Sequence, residues 1–182
     1  MPKTRHLHTM PAMMTDKLTF RRAEAADADA VLAINRAAYT QHIATIGRTP
    51  IPMMLDYAPY IRDGEVWLAE VGGAPIACLV MEWPPDALFI YSIAVDPVWA
   101  RQGIGNRMMA LAERRARDEG RGRITLHTNV LMTDNRAWYR RQGFVETGTE
   151  STHPDRTIVH LEKRLGQSGT YLDGAEDDSV KP

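Results

Sequence analysis

The segment Arg101-Gln102-Gly103-Ile104-Gly105-Asn106 follows a β-branched run ending in Val95-Asp96-Pro97 and precedes a stretch of helical periodicity. Such a junction suits an anion. The first N–H groups of a helix have no internal partner, and the helix dipole is positive there. Gly103 and Gly105 place no side chain between a phosphate and the backbone, and Arg101 and Arg107 add charge beside them. The segment is neither a dinucleotide fingerprint nor a P-loop, since the third glycine of one and the Gly-Lys-Ser/Thr ending of the other are missing. Alone, a Gly-x-Gly also reads as a tight turn entering a helix. A second constellation, Asp134-Asn135-Arg136-Ala137-Trp138-Tyr139 continuing to Gly143-Phe144, lies one strand later. Its Tyr139 is a candidate proton donor, or an aromatic with one buried face and a wet tip. Glu82 and His127 are candidate proton acceptors. Each also reads as an ordinary strand residue, solvated in the first case and packed in the second.

These residues need a frame. Residues 18–22 alternate apolar and polar side chains, as a half-buried strand does. Asp27 is placed to cap a helix over residues 27–39, with Val31, Ile34 and Ala38 on one face. Thr49-Pro50-Ile51-Pro52 interrupts it, and a short helix is expected over residues 53–62. Strands are expected at 66–71, 75–83 and 87–95, with Gly72-Gly73 as one hairpin turn and Pro84-Pro85-Asp86 as another. That turn puts Glu82 across from Phe89 and Val80 across from Tyr91, so Glu82 and Tyr91 share a face. From Gly103, Ile104, Met108 and Leu111 recur at helical spacing until Gly120. A strand at 123–130, a helix at 134–142 and strands at 144–148 and 157–161 complete the pattern of an α/β sheet with helices on both faces.

The loop at 101–106 and the segment 134–144, in this order around a strand, resemble the GNAT superfamily of acetyl-CoA-dependent N-acetyltransferases. The likeness covers nearly all of residues 17–165. The family's cofactor motif is Gln/Arg-x-x-Gly-x-Gly/Ala; here Ala100 holds the first position, and Arg101 beside it carries the charge. The resemblance implies one mostly antiparallel, twisted sheet of about seven strands, with a splayed parallel pair at the cofactor site. It implies that Ile93, Ala94, Val95, Arg101, Gln102, Gly103, Ile104, Gly105, Asn106, Asn135 and Tyr139 hold coenzyme A. Asn135 reads equally as a helix cap. The likeness further implies Tyr139 as general acid and Glu82 as candidate base. An acceptor cleft built by the early helices would draw on Tyr39, Arg48 and Asp56, with Tyr91 and His127 from the strands. The activity implied is direct transfer of acetyl from acetyl-CoA to a primary amine of a small molecule or peptide. A non-catalytic acyl-CoA-binding regulatory module is the other reading of the same motifs.

Composition bounds the rest. A chain of 182 residues suits one domain, and a net charge of -1 provides no electrostatic footprint for nucleic acid. No apolar run approaches the roughly 20 residues of a membrane span. The lone Cys78 forms no intramolecular disulfide and reads as a buried core thiol in a cytoplasmic protein. No metal is expected, and the sequence leaves monomer and homodimer equally open. Residues 1–16 lack periodicity, with Met13 or Met14 as alternative starts, and residues 166–182 are glycine-rich and acidic. Both ends read as flexible tails around a domain at 17–165.

Overall fold

The computed structural model describes residues 18–153 and 156–166. The expected tail at 1–16, and all of the one expected at 166–182 except Gly166, lie outside them. Seven strands form one sheet: β1 (Leu18–Arg22), β2 (Val66–Val71), β3 (Ala74–Glu82), β4 (Leu88–Val95), β5 (Arg123–Asn129), β6 (Val145–His153) and β7 (Arg156–Arg164). Their order is β1-β2-β3-β4-β5-β7-β6, and every neighbouring pair is antiparallel except β4 and β5. Among the described residues no helix is long and apolar enough to cross a membrane.

Helix α1 (Ala28–Thr40), the one-turn α2 (Ile43–Ile46) and the short α3 (Ala58–Arg62) precede β2; α4 (Ile104–Asp118) and α5 (Thr133–Arg141) flank β5 in sequence. On one side of the sheet, Val31, Ile34, Tyr57 and Ile61 bury against Val66, Leu68, Cys78, Val80 and Ala94. On the other, Ile104, Met108, Met109, Leu111 and Ala112 of α4, with Tyr139 of α5, bury against Leu79, Met81, Leu88, Ile90, Ile124 and Leu126. The hydrophobic stripe read from residue 104 onward is therefore the sheet-facing stripe of α4. Gly120, at φ 66°, closes that helix as expected. Lys163 ties β7 to both helices of this side, donating to the Glu113 carboxylate and to the Gln142 carbonyl, each at 2.6 Å.

Some local expectations need correction. Asp27 makes no capping bond to α1. Its carboxylate accepts from the Glu24 amide at 2.7 Å, closing a capping box on a 3-10 turn (Ala25–Asp27) ahead of the helix. It also takes both arms of Arg21, which hold its carboxyl below the ordinary range. The helix expected over 53–62 is reduced to α3, because Pro52 and Pro59 favour a 3-10 turn (Ile51–Met53) and then a new start. Strands β6 and β7 run beyond the expected 144–148 and 157–161, since long antiparallel pairing overrides the polar composition of β6.

The decisive correction concerns β4. Glu82 pairs with Phe89 as expected, but Val80 pairs with Ser92, and the register shifts between Val80 and Met81. Tyr91 is the extra residue of a β-bulge. Side-chain alternation flips there. Ile90 and Ile93 both pack on the α4 side, while Tyr91, Ser92 and Ala94 belong to the α1 side. Ser92 is thereby driven into the α1 core and must find a partner. Its hydroxyl donates to Asn35 Oδ1 at 2.7 Å, and Asn35 Nδ2 donates to the Val31 carbonyl at 2.9 Å and to Cys78 Sγ at 3.1 Å. The Tyr39 hydroxyl lies 3.4 Å from Ser92 Oγ at the outer end of this chain. Burial pushes the Cys78 thiol up to about 12, so it stays protonated. Asn35→Ala strips Ser92 of its acceptor inside the core, and the expected loss in urea unfolding is about 1–3 kcal/mol. A loss below about 0.5 kcal/mol, the size of an ordinary surface change, would show that the network contributes no stability.

Candidate functional site

The parallel pair is short. Leu88, Phe89 and Ile90 pair with Ile124, Thr125 and Leu126, and beyond them the two strands separate. A bulge bends the strand that carries it, and the bulge at Tyr91 sits where the separation begins. On its far edge β4 remains paired with β3 as far as Val95. Its near edge therefore offers alternate backbone N–H and C=O groups along Ser92 to Val95 without a strand to satisfy them.

A cavity of about 800 Å³ occupies this gap. Its walls include Ile93, Ala94 and Val95 of β4, then Arg101, Gly103, Ile104, Gly105 and Asn106 of the loop and first turn of α4, then Asn135 and Tyr139 of α5. Of the residues expected to hold the cofactor, only Gln102 stands outside this lining. The sequence reading missed Trp99, Trp138, Gln142 and His42, which also line it. Trp138 and Gln142 had a signal in their spacing, since both share the Tyr139 face or its edge along one helix.

The loop is shaped for an anion. Asp96 holds its start, donating its amide to the Ile76 carbonyl and accepting from the Val98 amide, each at 2.9 Å. Arg101 and Gly103 then adopt left-handed backbone, at φ 63° and 79°. Gly103 is the N-cap of α4 and, among the described residues, no side chain caps the first amides of α4, which open on the cavity. Asn106 fixes the helix relative to α5: its Oδ1 accepts from Trp138 Nε1 at 3.1 Å and from Gln142 Nε2 at 3.2 Å. A Cβ on Gly105 would stand 3.4 Å from the Trp138 ring. The two helices thus meet closely where the cavity narrows.

Tyr139 is held by its ring. It lies 4.9 Å from Trp138 and 5.7 Å from Phe144, centroid to centroid, and is 7% exposed. Its hydroxyl makes no hydrogen bond among the described residues. Burial raises its pKa, so the phenol keeps its proton at neutral pH. Met132, not Asn135, is the N-cap of α5, which removes the capping reading of Asn135.

A second, smaller cavity of about 110 Å³ adjoins the first, and Tyr39 lines both. Arg48, Tyr91 and His127 line it too. Four of the five expected acceptor-side residues are therefore brought together. Asp56 is not: it is exposed, and its carboxylate accepts from the Ala58 amide at 3.0 Å in the turn before α3. Glu82 lines neither cavity. It stands beside the phenols of Tyr60 and Tyr91, and Tyr60 is pushed up to about 12 by burial and then by this carboxylate. His127 stacks at 5.3 Å on Phe89, and burial, Arg156 and His160 hold it below the usual imidazole range. Among the described residues no group of three or more metal-binding side chains occurs.

Comparison with known proteins agrees with this fold. The model of the acetyltransferase (GNAT) family matches residues 29–144. No curated protein matches. Among solved structures, the ribosomal-protein-S18-alanine N-acetyltransferase from Escherichia coli shares 19% identity at a TM-score of 0.67, covering 85% of this chain and 98% of its own. The PaiA N-acetyltransferase from Thermoplasma acidophilum, in complex with coenzyme A, shares 14% at 0.65, over 81% of this chain and 99% of its own. A GNAT family acetyltransferase from Elizabethkingia anophelis with acetyl-CoA bound shares 19% at 0.61, over 82% and 99%. At these identities the likeness establishes a shared fold.

The two loop glycines should behave differently. Gly103 has positive φ and open space where a Cβ would stand, so Gly103→Ala costs backbone strain alone, about 1–2 kcal/mol. Gly105 is helical, and its alanine meets Trp138 at ordinary contact distance, so Gly105→Ala should change stability by less than about 0.5 kcal/mol. Urea unfolding of both variants checks the contrast, and equal losses would contradict the geometry.

Proposed function

The chain belongs to the GNAT family of acetyltransferases, and we propose that it moves an acetyl group from acetyl-CoA directly to a primary amine. The observation that carries this reading is one continuous cavity joining the unpaired edge of β4, the uncapped start of α4 and the phenol of Tyr139. The residues fit the cofactor. The amides of Ile104, Gly105 and Asn106, with Arg101, would hold the pyrophosphate, and the free edge at Ile93 to Val95 would pair with the amide-bearing arm. When bound, acetyl-CoA supplies a thioester whose C–S bond is exchanged for the amide C–N bond of the product.

The chain's own residues supply position and protons. A backbone N–H on the open edge of β4 stabilises the charge that develops on the carbonyl oxygen. The attacking amine must first lose the proton of its ammonium form. Tyr91, which lines the acceptor cavity, accepts it on its phenol oxygen while its own hydroxyl proton passes to the neighbouring Glu82 carboxylate. Tyr139 returns a proton to the departing sulfur. Its buried, unpartnered hydroxyl remains protonated until that moment, which suits an acid and not a base. Cys78 takes no part, being fully buried and protonated.

Acetyl-CoA should raise the melting temperature of the protein, because a ligand that binds only the folded state stabilises it by mass action. Gly103→Glu and Gly105→Glu should abolish the shift, and no shift in the parent at millimolar acetyl-CoA would end the cofactor assignment. Tyr139→Phe keeps the ring and its packing. With a general acid removed, kcat should fall roughly 10²–10⁴-fold in a free-thiol assay while the cofactor dissociation constant changes little. A folded Phe variant with full kcat would remove Tyr139 from the mechanism.

A further inference from the structure

The smaller cavity carries positive charge that no described residue neutralises. Arg48 reaches it from the loop after α2, and Arg156 from the start of β7. Both are half-buried, and neither side chain makes a hydrogen bond or ion pair with any described residue. Among the described residues no carboxylate appears in its lining. The nearby Glu150, whose charge His127 feels, lies outside that lining and contacts His160 Nε2 at 3.0 Å. The other polar members are Tyr39, Tyr91, His127 and Asn129. Because His127 is held neutral at pH 7, it supplies hydrogen-bonding capacity and no third positive charge.

Two guanidinium groups turned into one small cavity are unfavourable by themselves. With no carboxylate among the described lining residues, an opposite charge brought in by a ligand is the natural partner for both. A guanidinium presents paired N–H donors in a plane that matches the oxygens of a carboxylate or a phosphoryl group. The volume, about 110 Å³, suits a small anionic group. The cavity meets the main one at Tyr39, which lines both, so a group held by Arg48 and Arg156 lies beside the main cavity.

Resting on the acetyl-transfer reading above, we infer that the acceptor is a small anionic amine, with a carboxylate or phosphoryl group held by Arg48 and Arg156 a few bonds from its nitrogen. Free amino acids are one such class and aminoalkylphosphonates another. Polyamines and other polycations are disfavoured, because their extra charges would face the two guanidiniums.

The experiment has two parts. The first needs no turnover: the full-length protein is titrated with the common L-amino acids, their carboxamides and short aminoalkylphosphonates, and melting temperature is recorded. At least one anionic amine should give a saturable shift that its uncharged counterpart lacks. Comparing the carboxylate and phosphonate arms identifies the anion. The second part measures acetylation of the same compounds. Acids should be preferred over amides by roughly 10–100-fold in kcat/KM, the worth of a charged hydrogen-bonded contact. Arg48→Met/Arg156→Met should erase that preference through KM, with acetyl-CoA affinity unchanged as the control for folding. Equal use of acids and amides, or no saturable shift with any anionic amine, would overturn the inference. Failure to bind acetyl-CoA would instead strike the acetyl-transfer reading, with the anion site still judged by the first part.

Discussion

Everything at the site depends on a sheet that stops being a sheet. Strands β4 and β5 pair over three residues and then part, and each leaves backbone groups that an intact sheet would have satisfied. Such a gap is costly in a domain core unless something else fills it. Here the surrounding elements keep it open. The bulge at Tyr91 turns β4 away, α4 starts at the mouth of the gap, and α5 covers one side with the Trp138–Tyr139–Phe144 aromatic group. The unsatisfied groups then become a binding edge.

The bulge brings an obligation of its own. By sending Ser92 into the core it requires a polar partner there, and Asn35, fully buried in α1, meets the need. Helix α1 is thereby joined to the bulge by hydrogen bonds as well as by apolar contact, and Tyr39, one turn further along α1, is set between the two cavities. The same residues that make the distortion tolerable also place a side chain at the boundary between the two cavities.

Much of this was legible in the sequence, and the reason is locality. The loop at 101–106 and the residues around Tyr139 are short segments whose spacing alone sets their geometry: a glycine at a helix start, a tyrosine on a helix face. The seven strands and the splayed parallel pair followed from the resemblance those segments carry. What escaped was non-local. The bulge at Tyr91 leaves no mark in the alternation of apolar residues, because Tyr91 is itself half-buried and fits either phase. Arg156 is brought to the smaller cavity only because β7 inserts beside β5, a pairing between distant segments that no periodicity announces. Asp56 is close to Arg48 in sequence, yet a turn of a few residues is enough to face it outward.

The strand order β5-β7-β6 also imposes a schedule on synthesis. During translation β5 emerges well before the strand that will flank its outer edge, and until Arg156–Arg164 has left the ribosome it can be held in the sheet only by its three pairs with β4. The pairing that holds β5 in the sheet is thus completed only after β7 has been made, although neither β4 nor β5 is near the end of the chain. A nascent chain can assemble β1 to β4 with α1 as it emerges, but the cleft waits for β7, which supplies the outer partner of β5.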